Sequence, residues 1–295
     1  MAILTEFEYH KPTTVSAAIQ LLAKYKHAQI LAGGTDLINN LKTEVIQPDA
    51  IIDIKGIKAL QGITFKNNVL TIGALVTFSE IIDSKLIQSK FPVIIDVAKS
   101  VASTGIRNRA TMVGNICSAV ACGDSCPLVA AYNAQIIVQG KTKKYKIPAA
   151  DWFLGNKLTV LKKNELVLAI EFPLPAKKYA GCFVKLRRYE GEDLAQASVL
   201  VLALPENQYR ISFGSVNPIP IRAKEIESLL NGHNPTPALI DRIKQLIPSI
   251  ISPITDIRAT KEYREHMVPI MFERGLNAAI SRLQGNGPEY GHNLI

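Results

Sequence analysis

The sequence predicts an α+β fold, and three observations carry that prediction. A strand–helix–strand pattern closes within residues 29–54, as a small parallel unit does. PLPAKK at 173–178 is a proline-bearing stretch suited to a domain boundary. Beyond it a run of strands gives way to a run of helices, the order of an α+β unit.

Each element has a local reason. Thr13 and Thr14 precede VSAAIQLLAKY, where Val15, Ala18, Ile19 and Leu22 recur at helical spacing, so a capped amphipathic helix is expected. Gln29–Ala32 reads as a short apolar strand, Thr35–Lys42 as a helix starting at the Thr/Asp pair, and AIIDI at 50–54 as a strand buried on both faces. GITF and VLTIGAL flank KNN, a hairpin turn. TFSEIIDS and FPVIIDVAKSVA read as helices, the second with Pro92 near its first turn, and PLVAAYNA as a helix entered through proline. QIIVQG and ELVLAIEF follow as strands, then CFVKLRR, ASVLVLAL and YRISFGSV. IRAKEIESLL, TPALIDRIKQLI and TKEYREHMVPIMFERGLNAAISRL read as helices, the last with Tyr263, Met267, Ile270, Met271 and Phe272 as core.

The chain has 295 residues, 47% of them hydrophobic and 20% charged, which excludes a disordered protein and allows two or three packed units. No apolar run is long enough to cross a bilayer, and MAILTEFEYHKP lacks the plan of a signal peptide, so a cytoplasmic protein is expected. The formal net charge is +9, yet the densest basic groups, KTKKYK at 141–146 and KLRR at 185–188, are short and lack interleaved aromatics. Neither nucleic acid nor membrane is an expected partner. The four cysteines do not form a disulfide framework in a chain of this length.

Two stretches carry chemistry. In ILAGGTDL at 30–37, paired glycines stand between a strand and a helix start. Glycine tolerates positive φ cheaply, so a plain strand-to-helix turn accounts for it. A cradle of backbone N–H groups for a phosphate accounts for it equally. Neither the Walker loop nor the GxGxxG fingerprint is present. The second stretch, IRNRATMVGNICSAVACGDSCP at 106–127, is too irregular for one helix and too glycine-punctuated for a plain strand. Two such bends could clamp the ends of a long diphosphate cofactor, while Asn115 and Asp124 are also ordinary turn formers.

The order of ILAGGTDL, IRNRATMVGNIC, Asp124, FVKLRRYEGEDLA and RATKEYREH resembles the FAD-binding subunit of the xanthine dehydrogenase family of molybdenum hydroxylases, over essentially the whole chain. The resemblance implies a FAD-binding domain over 1–176, with a small βαβ subdomain (about 1–57) and a larger antiparallel-sheet subdomain (58–176). A C-terminal antiparallel sheet with helices over 177–295 completes it. It places Ile30, Leu31, Ala32, Gly33, Gly34, Thr35, Asp36 and Leu37 in a first flavin loop, and Thr111, Met112, Val113, Gly114 and Asn115 in a second. Val101, Asp124, Val167 and Lys185 are further implied FAD contacts, with the Lys185-to-Asp193 spacing part of the pattern. Val113 departs from the family's glycine; a β-branched residue there disfavours positive φ and turns a side chain toward the cofactor.

By the same resemblance, partner subunits carry molybdopterin and [2Fe-2S] centres. Electrons reach FAD through them and leave as hydride to NAD+, in a hetero-oligomer of the NAD-dependent xanthine dehydrogenase type. No side chain of this chain is then a catalytic acid, base or nucleophile. Nicotinate, carbon monoxide or aldehyde oxidation, and a non-enzymatic nucleotide-binding assembly module, stand as alternatives. Cys117, Cys122, Cys126 and Cys182 lack CxxC spacing and read as buried, inert thiols, so no metal is expected. The five histidines are scattered without ligand spacing, and Trp152 reads as a core or subunit-contact residue.

Overall fold

The computed structural model describes residues 3, 5–189, 191 and 193–295, so Glu190 and Glu192 of the RRYEGED stretch lie outside the described residues. The parallel unit has one strand more than expected. β1 (Glu8–His10), α1 (Val15–Lys24), β2 (Ala28–Leu31), α2 (Thr35–Lys42) and β3 (Ala50–Asp53) form a sheet ordered β1-β3-β2, both pairings parallel. β1 is short and largely exposed, so it leaves no apolar signal. Central β3 is buried along its length, which hides its alternation. Thr14 Oγ1 accepts from Ala17 N at 3.2 Å to start α1, which buries Ala18, Ile19 and Leu22.

β4 (Ile63–Lys66) and β5 (Val69–Gly73) turn through Asn67 and Asn68, whose φ values of 51° and 58° suit a two-residue hairpin. Six helices follow: α3 (Phe78–Asp83), α4 (Lys85–Lys90), α5 (Val93–Ser100), α6 (Thr104–Arg107), α7 (Met112–Ser118) and α8 (Ser125–Ala131). Then come β6 (Gln135–Gln139), β7 (Lys144–Pro148), the small hairpin β8 (Phe153–Gly155) and β9 (Leu158–Thr159), and β10 (Leu166–Pro173). β10 returns to the middle of a five-stranded antiparallel sheet ordered β4-β5-β10-β6-β7. The lysine-rich 141–146 stretch, expected only as a basic group, contributes edge strand β7, where charge discourages pairing with other chains. Trp152 is a core residue, fully buried, its indole N–H donating to Ile116 O at 3.0 Å.

β11 (Ala180–Leu186), β12 (Ala197–Leu204), β13 (Gln208–Gly214) and β14 (Ile221–Arg222) form an antiparallel meander, followed by α9 (Lys224–Leu230), α10 (Pro237–Ile250) and α11 (Lys261–Gln284). IRAKEIESLL is therefore not helical throughout: Ile221 and Arg222 pair with Phe213 and Ser212 before α9 begins. Sheet pairing overrides local propensity there. In α11, Met271 and Phe272 are core as expected, while Tyr263 lies on the exposed side, and Arg264 and Val268 are buried.

The meander is covered on both faces. Cys182, Val184, Leu186, Val199, Val201 and Ala203 join the core under α9, α10 and α11. Phe183, Leu200 and Leu202 join the core shared with the rest of the chain, where α5 and α8 pack. The period of two along β11 puts Lys185 on the same side as Phe183, toward α5 and α8. That parity positions the site. Among the described residues no helix is long and apolar enough to cross a membrane.

Candidate functional site

The first bend is built on two glycines with different tasks. Ile30 and Leu31 end β2, Ala32 and Gly33 turn, and Gly34, at φ 80°, is the N-cap of α2. The cap is thus Gly34 and not the expected Thr35 or Asp36, which sit with Leu37 in the first turn. A left-handed cap suits glycine and brings no side-chain acceptor, so the first-turn N–H groups stay open to a ligand. A Cβ on Gly33 would lie 2.1 Å from Arg109 O and 2.9 Å from Ala110 Cα. The bare backbone at Gly33 is what lets the first bend rest on the second segment. Ser118 Oγ, donating to Asp36 Oδ2 at 2.7 Å, ties the two again.

The second segment is more regular than its sequence suggests. Thr111 Oγ1 accepts from Gly114 N at 2.9 Å and caps α7, so Thr111–Asn115 is a helix start and not an open loop. Val113 keeps ordinary helical backbone and is buried with Met112, which removes the positive-φ conflict. Asn115 Oδ1 accepts from Ser125 N at 3.0 Å, joining α7 to the start of α8.

There Asp124, buried, receives the Lys185 ammonium at 2.7 Å; Lys185 Nζ also donates to Ser100 O at 3.0 Å. Burial pushes the Asp124 carboxyl above its ordinary range, against the pull of Lys185 and then Arg187. Val101, next in chain, ends α5, and the Arg107 guanidinium fixes that turn through Val101 O at 2.9 Å and Ala102 O at 2.7 Å. Contacts therefore run unbroken from Gly33 through Thr111–Asn115, Asp124 and Lys185 to Val101. Val167, on β10, joins them through apolar packing, in the same core as Val101, Met112 and Val113, where α7 meets that strand. The spacing from Lys185 to Asp193 does not bring those two together: Asp193 pairs with Arg188 at 3.2 Å.

Four contributors were not legible in the sequence: Ser100, Arg107, Ser118 and Ser125. Serine and arginine in helix-terminal turns give no pattern of their own, and the irregular 106–127 stretch marked the region of Arg107, Ser118 and Ser125 without singling them out.

The residues fit a long, polar, phosphate-bearing ligand such as FAD. Among the described residues, Asp124 Oδ1 and Ser125 Oγ are buried without a hydrogen-bond partner, an arrangement that costs free energy unless a ligand completes it. Beside Lys185, a cavity of about 780 Å³ opens among Ser100, Ala102, Arg107, Phe183, Arg187 and Arg188. A separate cavity of about 450 Å³ at Lys141, Lys143, Lys162 and Lys163 includes none of these residues. Burial pushes the Cys117 and Cys182 thiols up to about 12 and raises Cys122 and Cys126 too. Among the described residues, no group of three or more His, Cys, Asp or Glu side chains is arranged to hold a metal ion.

Comparison with known proteins gives a consistent match. The FAD binding domain in molybdopterin dehydrogenase matches residues 5–175, and the CO dehydrogenase flavoprotein C-terminal domain matches residues 188–279. The carbon monoxide dehydrogenase medium chain of Hydrogenophaga pseudoflava is 31% identical over 94% of this chain and 98% of its own. A xanthine dehydrogenase FAD-binding subunit of Escherichia coli is 28% identical over 94% of this chain and 97% of its own. The solved carbon monoxide dehydrogenase of H. pseudoflava lacking the Mo-pyranopterin moiety superposes with a TM-score of 0.92 at 31% identity, covering 96% of this chain and 99% of that one.

Proposed function

Because the chain belongs to the FAD-binding subunits of the molybdopterin dehydrogenase family, we propose that its two glycine segments hold FAD and make it the electron exit of a molybdenum hydroxylase. Ile30–Leu37 and Thr111–Asn115 take the diphosphate, the first through the open N–H groups above Gly33 and Gly34. Asp124 and Ser125 accept and donate to the polar part of the cofactor. Val101 and Val167 keep water from the ring system, and Lys185 supplies positive charge beside it. Bound FAD supplies two-electron redox chemistry, and the protein's part is to bind, orient and tune it. The observation that carries this reading is the unpartnered Asp124 Oδ1 and Ser125 Oγ at the end of a contact chain that begins at Gly33.

The finer reading is a xanthine dehydrogenase type, with partner subunits bearing molybdopterin and [2Fe-2S] centres and NAD+ as acceptor. The chain divides functionally into 1–176, which holds FAD, and 177–295, which brings Lys185 to it. A second reading, service to carbon monoxide oxidation, is favoured by the higher identity of the H. pseudoflava chain, 31% against 28%. Either leaves the role of these residues unchanged, because the reducing substrate is bound on another subunit.

The test uses the full chain titrated with FAD. The wild type turns yellow and quenches flavin fluorescence, and NADH bleaches it without molybdenum present. Gly34→Val, strained at φ 80°, weakens FAD binding by about tenfold or more while the chain stays folded. A wild-type chain that takes up no FAD overturns the proposal. FAD uptake without bleaching by NADH rejects NAD+ as acceptor and leaves the flavin site standing.

A further inference from the structure

β11 is an outermost strand of its sheet, so alternate residues aim backbone groups away from β12. Side chains satisfy those groups one after another. Gly181 O accepts from Arg282 Nη1 at 2.7 Å, and Phe183 N donates to Asp96 Oδ2 at 3.3 Å. Lys185 N donates to Asn293 Oδ1 at 3.1 Å, and Lys185 O accepts from Asn293 Nδ2 at 2.9 Å. The Asn293 carboxamide thus does at Lys185 what a peptide group of a neighbouring strand would do.

The segment that carries Asn293 is itself held in place. Arg282 donates to Pro288 O and Glu289 O, both at 2.8 Å, and stacks over Tyr290 with its guanidinium 4.0 Å from the ring centre. Gly291 N donates to Asp96 Oδ1, and Arg274 donates to Leu294 O at 2.9 Å. Gly291 has φ +92°, a left-handed conformation that suits glycine, and packs beside the Lys99 side chain of α5. Gly291, His292, Asn293 and Ile295 also line the cavity beside Ser100 and Phe183. The segment 286–295 lies beyond residue 279, where the match to the C-terminal domain ends.

We propose that Asn293 is a positioning residue for the flavin site. By clamping the backbone of Lys185 it fixes the root of that side chain, so that the ammonium stays on Asp124 Oδ2 and Ser100 O. Residues 286–295 are then a strap that sets the electrostatics of the cofactor, and the proposal rests on the assignment of FAD to this site. A cation held beside the flavin favours the reduced form, whose negative charge it offsets. Releasing Lys185 weakens that preference.

The experiment measures the midpoint potential of FAD bound to the full chain, by equilibration with a reference dye, together with thermal stability. Asn293→Leu keeps the side-chain size and removes both hydrogen bonds. It lowers the affinity ratio of reduced to oxidised FAD by about tenfold, a shift of about 30 mV to more negative potential for a two-electron couple. Lys185→Met shifts the potential in the same direction, and the double variant adds nothing beyond Lys185→Met. A chain truncated after His292 reproduces the shift and serves where Asn293→Leu does not fold. Wild-type potential in both Asn293→Leu and the truncated chain overturns the proposal, as does full additivity in the double variant. Failure of the wild type to bind FAD removes the flavin assignment itself, a result distinct from an unshifted potential.

Discussion

At Lys185 the molecule puts an ammonium and a carboxylate out of water together, with the side chain of Lys185 3% exposed and that of Asp124 8%. Desolvating both ions largely offsets their attraction, whereas losing one partner strands the other. Lys185→Met therefore costs about 3–5 kcal/mol in urea unfolding, and Lys185→Met with Asp124→Leu recovers most of it. FAD affinity is not recovered in the double variant, because the cofactor loses both groups. Recovery of affinity along with stability would assign the pair a purely structural role. The sequence pointed to both residues through family likeness, but it held no sign that they bond to each other. Nor did Gly34 announce itself as the cap of α2, since Thr35 and Asp36 are the usual cap chemistry.

Among the elements, the parallel sheet is fastened at the end where the first bend emerges. β3 ends on Asp53, in register with Leu31, and its carboxylate accepts from Tyr9 OH of β1 at 2.5 Å and from Lys55 Nζ at 2.8 Å. Burial pushes the Asp53 carboxyl up, but the hydrogen bonds from Lys55 and Tyr9 outweigh it and hold it below the ordinary range. A carboxyl lowered by folding contributes fully above its unfolded value of about 4, and the contribution is lost as pH falls through the folded value. Asp53→Asn is expected to remove about 2 kcal/mol at pH 7 and to flatten the stability loss between about pH 5 and pH 2. Urea midpoints at a series of pH values check it; parallel curves for variant and wild type would count against the clamp. The hairpin at Asn67–Asn68 and the helices α1, α5, α10 and α11 were legible because their signals are local. β1, β7 and β14 were not, because short edge strands are defined by the strand they pair with.

Over the whole molecule, the last sheet belongs to two cores at once, with Phe183, Leu200 and Leu202 in one and Val184, Val199 and Val201 in the other. Polar links cross the same junction: Asp96 with Arg282, Asp124 with Lys185, and Arg222 with Asn133 at 2.8 Å. Shared apolar burial and buried pairing couple the halves, so unfolding is cooperative. Calorimetry of the full chain should show one transition with equal calorimetric and van't Hoff enthalpies, and FAD should move it upward as a unit. Two resolved transitions, only one of them raised by FAD, would mean that residues 1–176 fold apart from the rest.

The sequence by itself determined the α+β class, the parallel start, the strand-then-helix ending and the two small-residue segments, because glycine conformation, capping and hydrophobic period act within a few residues. Only the tertiary structure decided that Gly33 rests on Arg109, that Asp124 meets Lys185 and that Asn293 grips the Lys185 backbone. Those contacts join residues separated by most of a domain, and packing of whole elements sets their distance, which no local pattern encodes.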